Sequence, residues 1–330
     1  MGYEKEVLSR ARSRHAAAVE AHRQDQRRMQ EQIYTRLPQV KALDLEIRQT
    51  MADVMAHTFR HGGDPQAAVK RIREKNLDLQ QQRNHLLQTA GYRPEQLSEG
   101  PRCRVCSDTG YVGEQMCACL KRYCVEEQRK ELTSLLSQNA SFDDFRLDYY
   151  PEVVDSATGI SARDQMELVY ETCVNYAGHF NLKRPKNLLM NGAPGLGKTF
   201  LSACIAGEVV ARGYSVVYDT AIHVFACLEK QKFGGATEEE LRMAERVMVC
   251  DLLILDDLGT EMSTSFIAPA LYSIINGRIL AEKPTIISTN YTMDQLAARY
   301  TPQILSRLEG EYHILTFAGR DIRRLKKEQE

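Results

Sequence analysis

The chain has 330 residues, with 43 Lys and Arg against 44 Asp and Glu, which gives a formal net charge of −1. This length suggests about two domains, and the balanced charge excludes a polycationic or acidic solvating chain while permitting a local basic surface. There is no apolar run of roughly eighteen residues and the N-terminus is charged throughout, so we expect no membrane span, no signal peptide and a cytoplasmic location.

Residues 1–98 are polar, and their apolar residues recur at spacings of three and four. This periodicity predicts two or three amphipathic helices, with a helical hairpin as one arrangement. Pro38 fits the first turn of a helix, and Gly62-Gly63-Asp64-Pro65 fits a break followed by a new helix. Such a region serves either as a solvated surface or as a protein-docking module. The apolar stripes are Val40, Leu43, Ile47, Met51, Val54 and Met55, and more loosely Ile72, Leu77, Leu79, Leu86 and Leu87.

Five of the nine cysteines cluster between Cys103 and Cys124, whereas the others are scattered singly among apolar residues and are expected in the core. Clustered cysteines in a chain without an export signal indicate a metal site rather than disulfides. Cys103 and Cys106 form a C-x-x-C pair, and Cys117 and Cys119 form a C-x-C pair further on. We predict that these four thiolates hold a structural zinc ion. Cys124 in place of Cys117 or Cys119, and an iron–sulfur cluster, are the alternatives.

The rest of the chain predicts an α/β core. A helix is expected from about Ser161 to Phe180, with Ser161 as its N-cap. From residue 186 onward, short apolar strands alternate with helical stretches, which indicates βαβ units and a parallel sheet with helices on both faces. The predicted strands are Asn187–Asn191, Ser215–Tyr218, Leu252–Asp256 and Thr285–Thr289.

The first predicted strand leads into the phosphate-binding pattern G-x-x-x-x-G-K-[ST] and then into a helix predicted from Thr199 to about Arg212. Its glycines allow backbone N–H groups to surround phosphate oxygens, and the helix N-terminus adds a favourable dipole. Lys198 would neutralise the β- and γ-phosphates, and the Thr199 hydroxyl would ligate Mg²⁺. The predicted cofactor-binding residues of this loop are Gly192, Ala193, Pro194, Gly195, Leu196, Gly197, Lys198 and Thr199.

Acidic and amide side chains end the later strands. Asp256 and Asp257 follow four apolar residues, so they are expected at the edge of the sheet where ligands bind. We predict that Asp256 belongs to the Mg²⁺ shell and that Asp257 orients the attacking water. Asn290 either hydrogen-bonds the γ-phosphate or the water, or is a turn residue. The candidate phosphate-binding arginines are Arg307, Arg320, Arg323 and Arg324.

In the order GAPGLGKT, LLILDDLG, IISTN, ILSRL and FAGRDIR, the chain resembles AAA+ ATPases. More narrowly, it resembles the bacterial replicative-helicase loaders of the DnaC/DnaI type and the IstB-like ATP-binding proteins. The resemblance covers about residues 140–330, and it implies a P-loop core that binds ATP and Mg²⁺ and hydrolyses ATP. It implies that Asn290 is sensor 1 and that Arg307 is an arginine finger reaching a neighbouring subunit. Arg323 would be the sensor-2 arginine, with the two adjacent candidates as alternatives.

The resemblance also implies the function. The protein would load a hexameric replicative helicase onto single-stranded DNA, with ATP hydrolysis controlling helicase release. The N-terminal helices and the zinc knuckle would bind the helicase, as the zinc-binding element of Bacillus-type loaders suggests, and the ATPase domains would self-associate. An IstB-type transposition helper is the alternative, and Asp257 in place of the commoner Glu leaves open a non-hydrolysing scaffold.

These expectations divide the chain into four parts. They are residues 1–98 (helical, helicase docking), 99–125 (zinc-binding element), 126–185 (linker and helix) and 186–330 (AAA+ ATPase domain). A group of basic residues before the core provides either single-strand contacts or an ordinary solvated surface. This group consists of Arg163, Lys183, Arg184 and Lys186.

Overall fold

The computed structural model describes residues 3, 5–60, 65–97, 100–135, 140–156, 159–183 and 186–329, with side chains described for these residues except 51–69, 71, 131–135 and 328–329. The chain forms two compact units, one of Arg12–Leu120 and one of the remaining described residues. The four-part division made from the sequence stays a prediction. None of the helices in the described part combines the length and apolar character needed to span a bilayer.

The N-terminal region is helical, as predicted. Its helices are α1 (Lys5–Arg36), α2 (Pro38–Arg60) and α3 (Pro65–Thr89). Pro38 opens α2, where its missing N–H would have no partner within the helix. The predicted break at Gly62–Asp64 lies outside the described residues.

Helices α2 and α3 form the expected hairpin. Asp44 forms an ion pair with Arg83 at 3.0 Å, and the Asn76 side chain donates to the Thr50 hydroxyl at 2.9 Å. The pairing partners run in opposite directions along the chain, so the two helices are antiparallel. Val40, Ile47, Leu79 and Leu87 of the predicted stripes are buried, but Leu77 is 50% exposed, so its assignment to the apolar face was wrong. The side chains of Met51, Val54 and Met55 lie outside the description.

A small hairpin follows, made of β1 (Tyr111–Val112) and β2 (Gln115–Met116), which pair antiparallel. Helix α4 (Ala118–Leu135) begins immediately after Cys117. Helix α5 (Ala162–Gly178) is the helix predicted from Ser161, whose hydroxyl accepts from the Asp164 N–H in a capping box.

The core is a five-stranded parallel sheet in the order β4-β5-β6-β3-β7. Its strands are β3 (Asn187–Asn191), β4 (Val216–Thr220), β5 (Leu252–Leu258), β6 (Thr285–Thr289) and β7 (Tyr312–Thr316). The intervening and following helices are α6 (Lys198–Ala211), α7 (Ala221–Phe233), α8 (Glu238–Val249), α9 (Ile267–Leu280), α10 (Met293–Arg299), α11 (Pro302–Glu311) and α12 (Ile322–Gln329). The predicted fold class is confirmed.

Strand β7 was not predicted from the sequence. It lies at the edge of the sheet, and only Tyr312 and Leu315 of its five residues are buried. It therefore lacks the continuous apolar run that marks the central strands, and its segment resembles an ordinary helix-to-loop transition.

Alternating residues of the central strands supply the two cores. Leu188 and Ile254 pack with residues of α5 and α6 on one face, whereas Leu189 and Leu253 pack with residues of α7, α9 and α11 on the other. The four scattered cysteines are buried, as expected. Because both faces are covered, the open carboxyl ends of the strands are the place for a ligand.

Candidate functional site

The phosphate-binding loop connects β3 to α6, and its shape requires glycine. At Gly195 the backbone has a φ of +79°, and a Cβ there would lie 2.0 Å from the Asp321 carboxylate. At Gly192 a Cβ would lie 2.6 Å from the carbonyl oxygen of Phe317. The segment that follows β7 therefore packs directly on the loop, and only residues without a side chain permit this approach.

Lys198 is buried at the start of α6. Its Nζ donates to the carbonyl oxygens of Gly192 and Ala193 at 2.7 and 2.8 Å, and to Oδ1 of Asn290 at 2.8 Å. Burial lowers the pKa of Lys198, an effect opposed by the carboxylates of Asp257 and Asp256. The structure thus joins the loop lysine to the polar end of β6, a neighbour of β3 in the sheet.

Asp256 is buried at the end of β5, and hydroxyl groups donate to both of its carboxylate oxygens. Tyr218 donates to Oδ2 at 2.8 Å, and Ser288 donates to Oδ1. Burial raises the pKa of Tyr218, so this hydroxyl stays protonated. The Tyr218 oxygen also lies 3.5 Å from the Thr199 carbonyl oxygen, so Thr199 and Asp256 flank one hydroxyl group. Hydroxyl and carboxylate oxygens are ligand types that Mg²⁺ prefers, so the chemistry of these two side chains suits that ion. Thr199 lines the cavity over the loop, whereas Asp256 is not among its lining residues.

Asp257 is held in an unusual backbone conformation. Its φ is +56°, and the pairing of β5 with β6 shifts register between Leu255 and Leu258. Burial, followed by the adjacent Asp256, raises the pKa of Asp257, whereas Lys198, Arg323 and a hydrogen bond from Asn290 oppose this rise. Three of the predicted site side chains therefore converge on this carboxylate.

A cavity of about 250 Å³ lies over the loop. Lys198, Thr199, Asp257, Asn290 and Arg323 form its polar side. The other side includes aromatic and aliphatic residues that the sequence reasoning did not assign to the site. These additional lining residues include Phe145, Tyr149, Phe200, Ile322 and Lys326.

The candidate arginines separate in the structure. Arg323 lines the cavity, whereas Arg320, Arg324 and Arg307 are not among its lining residues. Arg324 forms an ion pair of 3.9 Å with Asp321. Arg307 lies on α11, partly exposed. The sensor-2 and arginine-finger roles stay proposals.

Comparison with known proteins identifies the family of the chain. Residues 165–330 match the family model of the IstB-like ATP binding proteins. The chain belongs to this family. The predicted resemblance is therefore confirmed at the level of the family, and ATP is the expected nucleotide.

Curated relatives of this IstB-like protein include replication and insertion-sequence proteins. Over 173 residues it is 25% identical to the replicative helicase loader DnaC of Escherichia coli K12, covering 52% of this chain and 64% of that protein. Over 117 residues it is 31% identical to the replicative helicase loader DnaI of Bacillus subtilis, covering 35% and 37%. Over 109 residues it is 32% identical to an ATP-binding protein of insertion sequence IS5376 from Geobacillus stearothermophilus, covering 33% and 42%. The chain thus spans less than two thirds of the length of these relatives.

The cysteine cluster precedes the residues that match the family. The Sγ atoms of Cys103, Cys106, Cys117 and Cys119 all lie within 4.8 Å of one another. The Cys103–Cys117 and Cys106–Cys119 Sγ distances are 3.8 and 3.4 Å. Four sulfurs bonded tetrahedrally to zinc at about 2.3 Å would be about 3.8 Å apart, so the group is compatible with that ion. Cys124 is buried and is not a member of this group.

Residues around the cluster hold its geometry. The Asp108 carboxylate accepts the N–H of Cys103 at 2.8 Å. Hydrogen bonds from the backbone N–H groups of Cys106 and Val105 lower the pKa of Cys103 to about 7, which favours the thiolate. His15 of α1 is buried with Nε2 3.4 Å from the Cys119 sulfur, a contact that sequence reasoning missed because 104 residues separate the two.

Proposed function

We propose that this protein is an ATP-dependent loader that places a hexameric replicative helicase onto single-stranded DNA during replication initiation or restart. The observation that carries the loader role is the cysteine cluster on a helical unit ahead of the ATPase core, in a chain related to two replicative helicase loaders. The cavity residues support ATP hydrolysis, and we propose that this hydrolysis controls helicase release.

The cavity residues suggest how the chain would act on ATP. Thr199 and Asp256 would hold Mg²⁺, which when bound neutralises charge on the β- and γ-phosphates. Lys198 and Arg323 would bind phosphate oxygens. Asp257 and Asn290 both line the cavity, where the Asp257 carboxylate would accept a proton from the attacking water. Arg307 would act on the nucleotide of a neighbouring subunit.

The apolar side of the cavity suits a nucleobase. Phe145 stacks on Tyr170 with ring centroids 5.2 Å apart, and Phe200 lies 6.2 Å from Phe145. The Tyr150 hydroxyl donates to the Leu196 carbonyl at 2.9 Å, which ties this aromatic segment to the phosphate-binding loop. We infer that the segment provides the adenine side of the site.

A basic aromatic surface supports contact with single-stranded DNA. Phe233 and Phe266 meet edge to face at 5.8 Å, and the Lys232 ammonium lies 5.4 Å from each ring centroid. Phe233 is 69% exposed. Met262, four residues before Phe266, is 84% exposed. Phe266 is half-buried, so Phe233 presents the exposed ring, and an exposed ring beside a cation is typical of surfaces that stack bases and contact phosphates.

The basic group predicted from the sequence is a weaker candidate. The Arg163 guanidinium donates to the Tyr150 carbonyl and to Glu152. Lys183 and Lys186 are exposed, and Arg184 lies outside the described residues.

Substitution of Phe233 tests the DNA surface. Because loss of one base–aromatic stack costs about 1–3 kcal/mol, we expect Phe233→Ala to weaken binding of a fluorescent oligothymidylate about 5- to 160-fold. Fluorescence anisotropy with ATP and Mg²⁺ measures this affinity. Leu280→Ala is the matched control, since Leu280 is an exposed apolar residue at the end of α9 opposite to Phe266. Equal affinity of the Phe233 variant and the wild type would contradict the assignment.

The helicase interaction is tested by mixing the full-length protein with the replicative helicase of the same organism, ATP and Mg²⁺, and measuring complex mass in solution. Val105 and Val112 of the knuckle region are 74% and 50% exposed, which suits a docking surface. We expect a stable complex with the wild type, and at least about tenfold weaker binding by Val105→Asp, because a buried unpaired charge is unfavourable at an interface. Leu280→Asp, in the ATPase unit, should bind like the wild type. If the wild-type protein formed no complex with the helicase, the loader role would be contradicted.

A transposition-helper ATPase is the second candidate function. The observation that favours it is the 32% identity to an insertion-sequence ATP-binding protein. ATP-dependent binding of duplex DNA, without binding of the helicase, would favour this candidate over the loader.

A further inference from the structure

One buried hydroxyl joins both acidic residues at the end of β5. Ser288 of β6 is fully buried. Its Oγ accepts the backbone N–H of Asp257 at 2.9 Å and donates its own proton to Oδ1 of Asp256. A single side chain on the neighbouring strand therefore contacts the backbone of one acid and the carboxylate of the other.

This hydroxyl lies where the sheet is irregular. Leu255 pairs with Ile287 and Leu258 pairs with Thr289, so Asp256 and Asp257 together oppose the single residue Ser288. Two residues facing one is the arrangement of a β-bulge, which redirects the side chains of the bulged strand. The left-handed φ of Asp257 belongs to this bulge, and its carboxylate lines the cavity.

We propose that Ser288 is a positioning residue for ATP hydrolysis, because its hydroxyl holds the bulge that directs Asp257 into the cavity. This inference rests on the proposed ATPase activity. Asp256 keeps a second donor in Tyr218, whereas the N–H of Asp257 has Ser288 as its acceptor. Loss of the hydroxyl should therefore disturb Asp257, which acts on the water, more than the groups that bind the nucleotide.

The first test is steady-state hydrolysis by Ser288→Ala. Misplacement of a reacting group by about 1 Å costs on the order of 100-fold, so we expect kcat to fall by about that factor. KM and the Kd of a fluorescent ATP analogue should change by less than about threefold, because the lysine and the loop are untouched. Ser202→Ala is the matched control, since Ser202 is also a buried serine and its hydroxyl donates to the Met190 sulfur at 3.3 Å.

A second pair of variants separates the hydroxyl from packing. Ser288→Thr and Ser288→Val add the same volume to the buried position, but only Thr keeps the hydroxyl. We expect the Thr variant to exceed the Val variant in kcat by at least about tenfold. Tyr218→Phe removes the hydroxyl that contacts Asp256 and the Thr199 carbonyl oxygen but leaves the Asp257 N–H bonded to Ser288. It should therefore raise the Mg²⁺ concentration needed for half-maximal rate more than it lowers kcat.

The outcomes are separable. Unchanged kcat in Ser288→Ala, or equal kcat in the Thr and Val variants, would overturn the positioning role while leaving the ATPase intact. Absence of hydrolysis by the wild type would instead overturn the proposed activity itself. A rise in KM and in the Kd of the ATP analogue together with a fall in kcat in Ser288→Ala, with Thr no better than Val, would assign Ser288 to structural support alone.

Discussion

Lys198→Ala should lose ATP hydrolysis, with kcat/KM reduced by about 10³-fold or more. Lys198 is a buried cation at the start of α6. Its Nζ contacts two carbonyl oxygens of the loop and the side chain of Asn290, which follows β6. An alanine removes the charge that would bind the β- and γ-phosphates and leaves these acceptors without their donor. Steady-state hydrolysis measures the loss of catalysis, and the Kd of a fluorescent ATP analogue measures the loss of nucleotide binding.

Lys283→Ala is a suitable control for this variant. Lys283 is half-buried and donates to the Val249 carbonyl oxygen, and it precedes β6 at the opposite end from Asn290. We expect its hydrolysis rate to match that of the wild type. If Lys198→Ala retained more than about a tenth of wild-type kcat/KM, the cavity would not be the catalytic site.

The second large effect concerns the cysteine cluster. We expect about one zinc ion per chain, and its removal by a strong chelator should unfold the segment around residues 100–120. The segment contains a hairpin whose strands have only two residues each, and its Val105 side chain is exposed. It therefore buries little apolar surface, and metal bonding would supply its folding free energy. Cys106→Ser should lose zinc and expose the segment to proteases.

Metal analysis and limited proteolysis with mapped cleavage sites check this expectation. Cys124→Ala and Cys173→Ala are matched controls, because both residues are buried cysteines outside the four-sulfur group. Both should retain zinc. Iron and sulfide in place of zinc would favour the cluster alternative, and a metal-free protein resistant to proteolysis would contradict a metal role altogether.

Local patterns made much of the site predictable. The phosphate-binding loop, the acidic end of β5 and the amide end of β6 each follow an apolar run that predicts a buried strand. Strands in a parallel sheet end at a common edge, so these polar residues were expected together. The structure brings Lys198, Asp257 and Asn290 into contact there. The cysteines were predictable for a related reason, since their short spacings are typical of metal ligands.

Other features depend on contacts between distant segments. His15 reaches Cys119 across 104 residues, and periodicity on α1 carries no information about that partner. Three arginines near the C-terminus are equivalent by sequence, but only Arg323 among them lines the cavity, because α12 begins at Ile322 and presents one face to it. The edge strand β7 was missed because only two of its five residues are buried, so it lacks the apolar run of the central strands, and its position is set by pairing with β3.

The sequence by itself determined the family, the P-loop core, the helical N-terminal region and the types of residue available for phosphate and metal chemistry. Those conclusions follow from short-range spacing, which backbone geometry converts directly into strands, loops and helix starts. Only the tertiary structure decided that Ser288 joins Asp256 to Asp257 and that aromatic residues face the phosphate-binding loop. These arrangements depend on register shifts and long-range packing, and neither leaves a periodic signal in the sequence.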